Sequence, residues 1–374
     1  MNETLQELMR EATRLTQSGN LREATQVIQR ALGNSGRAPI PPASSSTASP
    51  PIILDGCVFE VGSAQVEEPE VARPQTPSSS ANGRDHNPEG EFVEGSHTHA
   101  SLTRRYKLYI PPGTFDTRLP LVVMLHGCTQ NSDDFAAGTG MNELAKAQGF
   151  YVLYPEQSAN ANPQRCWNWF KHNHQGRGKG EAALLASMTL SIVQQQGIDA
   201  RRVYIAGLSA GGAMAAIVAA AYPEVFAAVG VHSGLAVGAA GNVAEALSAM
   251  KSGAADRKLA SVGSALPLIV FHGDQDSTVH PRNGRQVSDQ GIDALRAESE
   301  PSDKSVEQGT SSLGRSFTRT CHLKDGVSVS ESWVLHGGAH AWSGGSAAGS
   351  YTDPSGPDAS AEMLRFFSNH AKKA

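Results

Sequence analysis

One stretch constrains this chain more than any other: Val203-Tyr204-Ile205-Ala206-Gly207-Leu208-Ser209-Ala210-Gly211-Gly212. An apolar, β-prone run feeds a G-x-S-x-G turn. A run of small residues over 210–222 then continues as a helix. The two flanking glycines permit a turn that side chains would obstruct. Such a turn lifts the serine hydroxyl above the edge of a sheet and sets a helix N-terminus beneath it. The pattern alone is a weak signal, and its bland reading is a glycine-lined crossover without chemistry. Its position between a strand and a helix gives it force.

The surrounding chain supports a layered α/β fold. Leu121-Val122-Val123-Met124-Leu125 is a continuous apolar run, as in a strand buried on both faces. Residues 151–154, 203–206, 226–231, 268–271 and 328–335 read as further strands. Residues 141–148, 181–196 and 359–369 read as helices, and 105–110 as an edge strand ending at Pro111-Pro112. This alternation predicts a mostly parallel sheet covered by helices on both faces, with ligands beyond the carboxyl ends of the strands. Glu181 reads as a helix-terminus charge, and residues 289–315, polar and aperiodic, as a surface insertion.

Four loops at the carboxyl ends carry unusual residues. Besides the Ser209 turn there is His126-Gly127-Cys128-Thr129-Gln130-Asn131, whose backbone N–H groups would face the serine. Together with the Ala210 N–H they would stabilise a tetrahedral oxyanion. His126 reads as a structural ligand of loop backbone. In His272-Gly273-Asp274-Gln275-Asp276, Asp276 is the expected partner of a catalytic imidazole and Asp274 a turn cap. His272 and His280 are expected to bond backbone groups. In His336-Gly337-Gly338-Ala339-His340, His336 closes a strand, while His340 lies beyond flexible glycines and is the expected base. The order Ser209, Asp276, His340 is that of α/β-hydrolases. Trp167, Trp169 and Trp342 fall on loops of the same face. They read either as an apolar substrate cleft or as core packing. The histidines lack metal-ligand spacing, and the chemistry requires neither metal nor organic cofactor.

The first hundred residues are of another kind. Residues 1–33 carry two apolar stripes, Leu5, Leu8, Met9, Ala12, Leu15 and Ala24, Val27, Ile28, Leu32, separated by Ser18-Gly19-Asn20. They predict a helical hairpin suited to docking, dimerising or contact with a hydrophobic granule. Residues 34–100 hold nine of the 20 prolines plus serine clusters, which predicts a flexible linker before a catalytic domain over 101–374. The 31 basic and 36 acidic residues, net −5, exclude a general nucleic-acid binder. No apolar run is long enough for a transmembrane helix. Four cysteines are too few for a disulfide scaffold. The acidic start without an apolar segment points to a cytoplasmic protein. Cys128 and Cys166 lie at one sheet edge: they would pair in an oxidising compartment and stay thiols in cytosol.

With these segments in view, residues 102–374 resemble the polyhydroxybutyrate (PHB) depolymerase esterases of the α/β-hydrolase superfamily. The resemblance rests on LHGCTQNSDDFAAGTGMNELA, VLYPEQSANANPQRCWNWF, GLSAGGAMA, HGDQDSTVHP and GGAHAWSGG. It implies a serine esterase acting through an acyl-enzyme on 3-hydroxybutyrate-type polyesters or oligomers, with nucleophile Ser209, acid Asp276, base His340 and an oxyanion hole at Cys128 and Ala210. Relatives that cleave feruloyl or acetyl esters leave a carbohydrate-linked esterase or a broad short-chain carboxylesterase as alternatives. Some relatives are secreted, which is the alternative location. A non-catalytic granule-associated scaffold is the remaining reading. The resemblance does not reach residues 1–100.

Overall fold

The computed structural model describes residues 88–113, 115–255, 266–298 and 300–372. The chain divides into Met1–Ser80 and Ala81–Ala374, and the described residues belong to the second unit. The hairpin expected over 1–33 and the linker up to residue 87 lie outside the described residues.

The elements follow in the order β1 (Glu91–His99), β2 (Leu102–Ile110), β3 (Leu121–Leu125), α1 (Ser132–Thr139), α2 (Met141–Gln148), β4 (Tyr151–Pro155), α3 (Gly180–Gln196), β5 (Val203–Leu208) and α4 (Ala210–Ala221). Then come β6 (Ala228–His232), α5 (Val243–Ser252), β7 (Leu268–Gly273), α6 (Arg282–Glu298), β8 (Asp303–Thr310), β9 (Ser316–Lys324) and β10 (Val327–Leu335). The short β11 (Trp342–Ser343) and β12 (Thr352–Asp353) precede α7 (Ala359–Ser368). The main sheet runs β1-β2-β4-β3-β5-β6-β7-β10-β9-β8. The six strands from β4 to β10 are mutually parallel, and antiparallel strands extend both sides.

Strand alternation divides the interior into two cores, because successive side chains point to opposite faces. Leu121, Val123, Leu125, Val203 and Ile205 pack with residues of α3, α4, α5 and α6. Val122, Met124, Tyr204, Ala206 and Leu208 pack with residues of α1, α2 and α7. A strand with helices on both sides has no polar face, which is why these runs are apolar throughout.

Two expectations need correcting. The linker does not extend to residue 100, because β1 pairs with β2 from Glu91↔Ile110 to His99↔Leu102. It follows that β2 is an inner strand and β1 the edge. A polar edge strand is held by backbone bonds that leave no apolar period to read. Residues 289–315, read as an aperiodic surface insertion, lie at the surface but carry regular structure, the end of α6 and all of β8. The stripe that α6 buries, Asn283, Gly284, Val287, Ser288 and Leu295, is largely small or polar and so gives little apolar signal.

Glu181 stands in the first turn of α3, as expected of a helix-terminus charge, but it is wholly buried. Arg104 Nη2 lies 3.1 Å from its carboxylate, and the Asn168 backbone N–H donates to it at 2.7 Å. The Gln157 and Asn168 amides donate at 2.6 and 2.8 Å. Gln157 in turn accepts from Arg104 Nε at 2.7 Å. The cluster thus ties the loop after β4 to β2 and α3. Burial alone would raise the Glu181 carboxyl, but the His174 ring and the Gln157 and Asn168 groups outweigh burial and bring it down to about 2. A carboxyl depressed in the folded state stabilises the fold above its unfolded pKa, and that contribution fades as pH falls through the folded value. The wild type should lose roughly 3 kcal/mol from this group between about pH 5 and pH 2. Urea denaturation at stepped pH should give a shallower acid slope for Glu181→Gln.

Candidate active site

Ser209 occupies the turn between β5 and α4 with φ 57° and ψ −120°, a left-handed conformation that a serine adopts only when its surroundings enforce it. The enforcement comes from close backbone approach. A Cβ on Gly211 would lie 2.0 Å from the Leu125 carbonyl oxygen and 2.5 Å from that of His126. The start of α4 therefore presses directly on the end of β3. The Ser209 N–H donates to the His232 carbonyl at 2.9 Å, which fixes the turn from the β6 side. As the first N–H of α4, that of Ala210 has no carbonyl one turn back.

The loop after β3 lies opposite. His126 is buried, and its Nδ1–H donates to the Gly127 carbonyl at 2.7 Å while Nε2 accepts from the Gln157 N–H at 3.0 Å. This is the structural role expected of it, and burial lowers its pKa, keeping it neutral. Gly127 N–H donates to Gln130 Oε1 and Thr129 N–H to the Gln164 carbonyl, whereas the Cys128 N–H takes no partner among the described residues. Cys128 is bonded to Cys166, with Cα atoms 4.2 Å apart. The disulfide fastens the Cys128 loop to the loop that carries Trp169. Among the described residues Cys321 is a free, buried thiol, and Cys57 lies outside them.

Two aspartate–histidine pairs stand near each other in sequence. Asp276 Oδ2 meets His340 Nδ1 at 2.7 Å, and Asp276 Oδ1 accepts the N–H groups of Thr278 and Val279. Burial alone would raise the Asp276 carboxyl, but bonds from His272, His340 and Val279 outweigh it and hold it well below the usual carboxylate range. Asp274 instead binds His336 Nδ1 at 3.0 Å and the Gly337 N–H at 2.7 Å. Only the first pair reaches the cleft. Ser209, Ala210, Cys128 and His340 line one cavity of about 510 Å³, with Asp276 behind His340. His272 Nε2 bonds the Val279 carbonyl, and His280 Nδ1 accepts from the Arg282 N–H, both backbone groups as expected.

The three tryptophans separate. Trp169 lines the cleft together with Phe170. Trp167 is wholly buried against His126, so its expected substrate contact is corrected to core packing. Trp342 is corrected likewise: it packs edge-on to Phe135, stacks on His232 and donates to Ser360 Oγ. A turn only a few residues from His340 in sequence folds its aromatic ring inward, because α1 and α7 supply an apolar bed there.

Sequence reading missed several parts of the cleft. One wall is α5, contributing Val243, Ala246, Leu247 and Met250. Tyr351 forms part of another wall. His232 sits beneath Ser209. Burial, and then the charges of His272 and His340, bring it down to about 3, and as a neutral ring it accepts from the Ser343 N–H. None of these had a motif, and only the strand-end position of His232 hinted at a site.

The chain's similarity to known proteins agrees with this geometry. The family model described as Esterase PHB depolymerase matches residues 104–298, just over half of the chain. The chain belongs to that family. The match includes Ser209 and Asp276 and ends before His340, so the assignment of the base stands on geometry. Poly(3-hydroxyalkanoate) depolymerase C of Paucimonas lemoignei is 34% identical over 194 residues, covering 49% of this chain and 46% of the relative. Acetylxylan esterase A of Talaromyces purpureogenus is 28% identical over 212 residues, 51% and 53% of the two chains. Feruloyl esterase B of Thermothelomyces thermophilus is 28% identical over 208 residues, 51% and 70%. The chain thus spans about half the length of the first two relatives. Among solved structures, an acetyl xylan esterase from Aspergillus awamori superposes with TM-score 0.56 at 20% identity, covering 71% of this chain and 94% of that one. The fold is the α/β-hydrolase fold, with its parallel sheet sandwiched between helices.

Gly211→Ala should destabilise the fold by about 3 kcal/mol, since a backbone carbonyl 2.0 Å away cannot rotate aside. Urea denaturation checks this, with Gly176→Ala, which has open space around it and no left-handed backbone, as the comparison.

Proposed function

We propose that this protein is a serine esterase that cleaves 3-hydroxybutyrate-type polyester or oligomer esters through an acyl-enzyme. The observation that carries the reading is the 2.7 Å Asp276–His340 bond at a cleft that Ser209 also lines. With Nδ1–H given to Asp276, His340 presents Nε2 to accept the Ser209 proton as Oγ attacks the ester carbonyl. Asp276, held as an anion, stabilises the imidazolium that results. The free N–H groups of Cys128 and Ala210 receive the oxyanion, helped by the positive end of α4. His340 then protonates the departing alcohol, and water, activated by the same ring, releases the acid.

The lining of the cleft favours an aliphatic substrate. Leu235, Val243, Ala246, Leu247, Met250 and Val279 present hydrocarbon rather than donors and acceptors for sugar hydroxyls. The depolymerase relative at 34% identity supports the same choice. The second reading, an acetyl or feruloyl ester attached to carbohydrate, is supported by the names of the other relatives.

The disulfide bears on location. Stable disulfides persist in oxidising compartments, so the Cys128–Cys166 bond supports action outside the cytoplasm, against the cytoplasmic expectation. No helix among the described residues is long and apolar enough to cross a membrane. Contact with a partner copy or a granule through residues 1–33 stays a proposal, tested by deleting them and measuring co-sedimentation.

Ser209→Ala should lower kcat on p-nitrophenyl butyrate by about 10⁴-fold or more, with the fold intact by circular dichroism. Turnover by the variant equal to wild type would overturn the mechanism. A hydroxybutyrate oligomer should be cleaved with higher kcat/KM than acetylated xylan. The reverse order would transfer the assignment to the carbohydrate-linked reading.

A further inference from the structure

Seven non-glycine residues have positive φ among the described residues; two of them, Ser209 and Tyr351, line the cleft, and three more, Thr129, Arg165 and Ser233, lie within two residues of a residue that lines it. The other two, Ala100 and Asp325, sit in the turns between β1 and β2 and between β9 and β10. Thr129 and Arg165 each adjoin one half of the disulfide, Ser209 is the nucleophile of the proposed reaction, and Ser233 follows His232. Tyr351 is the one with no role so far, and left-handed backbone in a bulky residue persists only where the surroundings enforce it.

Its surroundings are definite. The Tyr351 carbonyl accepts the Trp342 N–H at 2.6 Å, and its hydroxyl lies 3.2 Å from Thr129 Oγ1. The preceding residue is fixed as well: Ser350 N–H donates to Asp134 Oδ1 and its carbonyl accepts from Gln130 Nε2. The residue is 45% exposed and lines the cleft, and its ring stands edge-on to His340 with centroids 6.5 Å apart. Tyr351 therefore bridges the loop that holds the Cys128 N–H and the imidazole of His340, with its ring open to incoming molecules.

We infer that Tyr351 is a specificity-determining residue that contacts the alcohol portion of the ester. This rests on the esterase reading. In that reaction the leaving oxygen must come within hydrogen-bond reach of His340 Nε2 to be protonated. Whatever is attached to that oxygen then passes beside the ring that flanks His340, which is Tyr351. A rigid aromatic face fits an alkyl or aryl group there, while its hydroxyl stays on Thr129. The apolar wall of α5 and the Trp169–Phe170 pair serve the acyl portion.

The test compares two ester series on the full chain and on Tyr351→Ala and Tyr351→Phe, with folding checked by circular dichroism and Tm. One series keeps p-nitrophenol as the alcohol and lengthens the acyl chain from acetyl to hexanoyl. The other keeps butyrate and enlarges the alcohol from methyl to butyl to benzyl. Tyr351→Ala should lower kcat/KM for benzyl and butyl butyrate about tenfold relative to methyl butyrate, while ratios within the acyl series stay within about twofold. Tyr351→Phe, which keeps the ring, should keep the wild-type ratios in both series. A change confined to the acyl series, or the same fall for every ester, would overturn the assignment while leaving the esterase reading in place. Absence of Ser209-dependent turnover in the wild type would overturn both.

Discussion

The contact on which the site depends is the approach of α4 to the end of β3. Gly211 lies so near the Leu125 and His126 carbonyls that no side chain fits between them. That approach sets where the helix begins, how sharply the chain leaves β5, and hence the left-handed backbone of Ser209. It also fixes the distance across which the Cys128 loop, which begins at the same end of β3, faces Ala210. The sheet supplies the rigidity this requires, since β3 and β5 are adjacent and buried on both faces.

Around that contact, the remaining loops are tied down by polar groups that the site's chemistry does not itself use. His126 and Gln157 link the Cys128 loop to the loop after β4, the disulfide links them again, and Glu181 holds the second loop to β2 and α3 by accepting from four donors. His232 supports the Ser209 turn and the start of β11 at once. Each is buried and satisfied, and a satisfied buried polar network holds loop backbone in one arrangement. The groups of the proposed triad and oxyanion hole sit on four separate loops, and such ties keep them together, because small displacements of any loop would separate them.

The legible portion of the molecule had a local signature. The buried strands announced themselves as unbroken apolar runs, and the Ser209 turn as glycines between a strand and a helix. Elements stabilised from outside themselves were illegible. β1 holds by pairing with β2, and α6 buries a stripe in which only Val287 and Leu295 are apolar, so neither shows a run of apolar residues. The tryptophans illustrate the same limit. Trp167, Trp169 and Trp342 are equally apolar and equally near site residues in sequence, yet only Trp169 faces the cleft.

The sequence by itself determined the mostly parallel sheet and the position of the Ser209 turn, because each depends on residues adjacent in the chain, and it narrowed the partners of the serine to the acids after β7 and the histidines after β10. The tertiary structure decided which acid pairs with which base, that Cys128 joins Cys166, that Glu181 is a buried hub, and that α5 and Tyr351 wall the cleft. Those outcomes turn on distances between segments tens to hundreds of residues apart, and such distances are set by how helices and loops pack on the finished sheet.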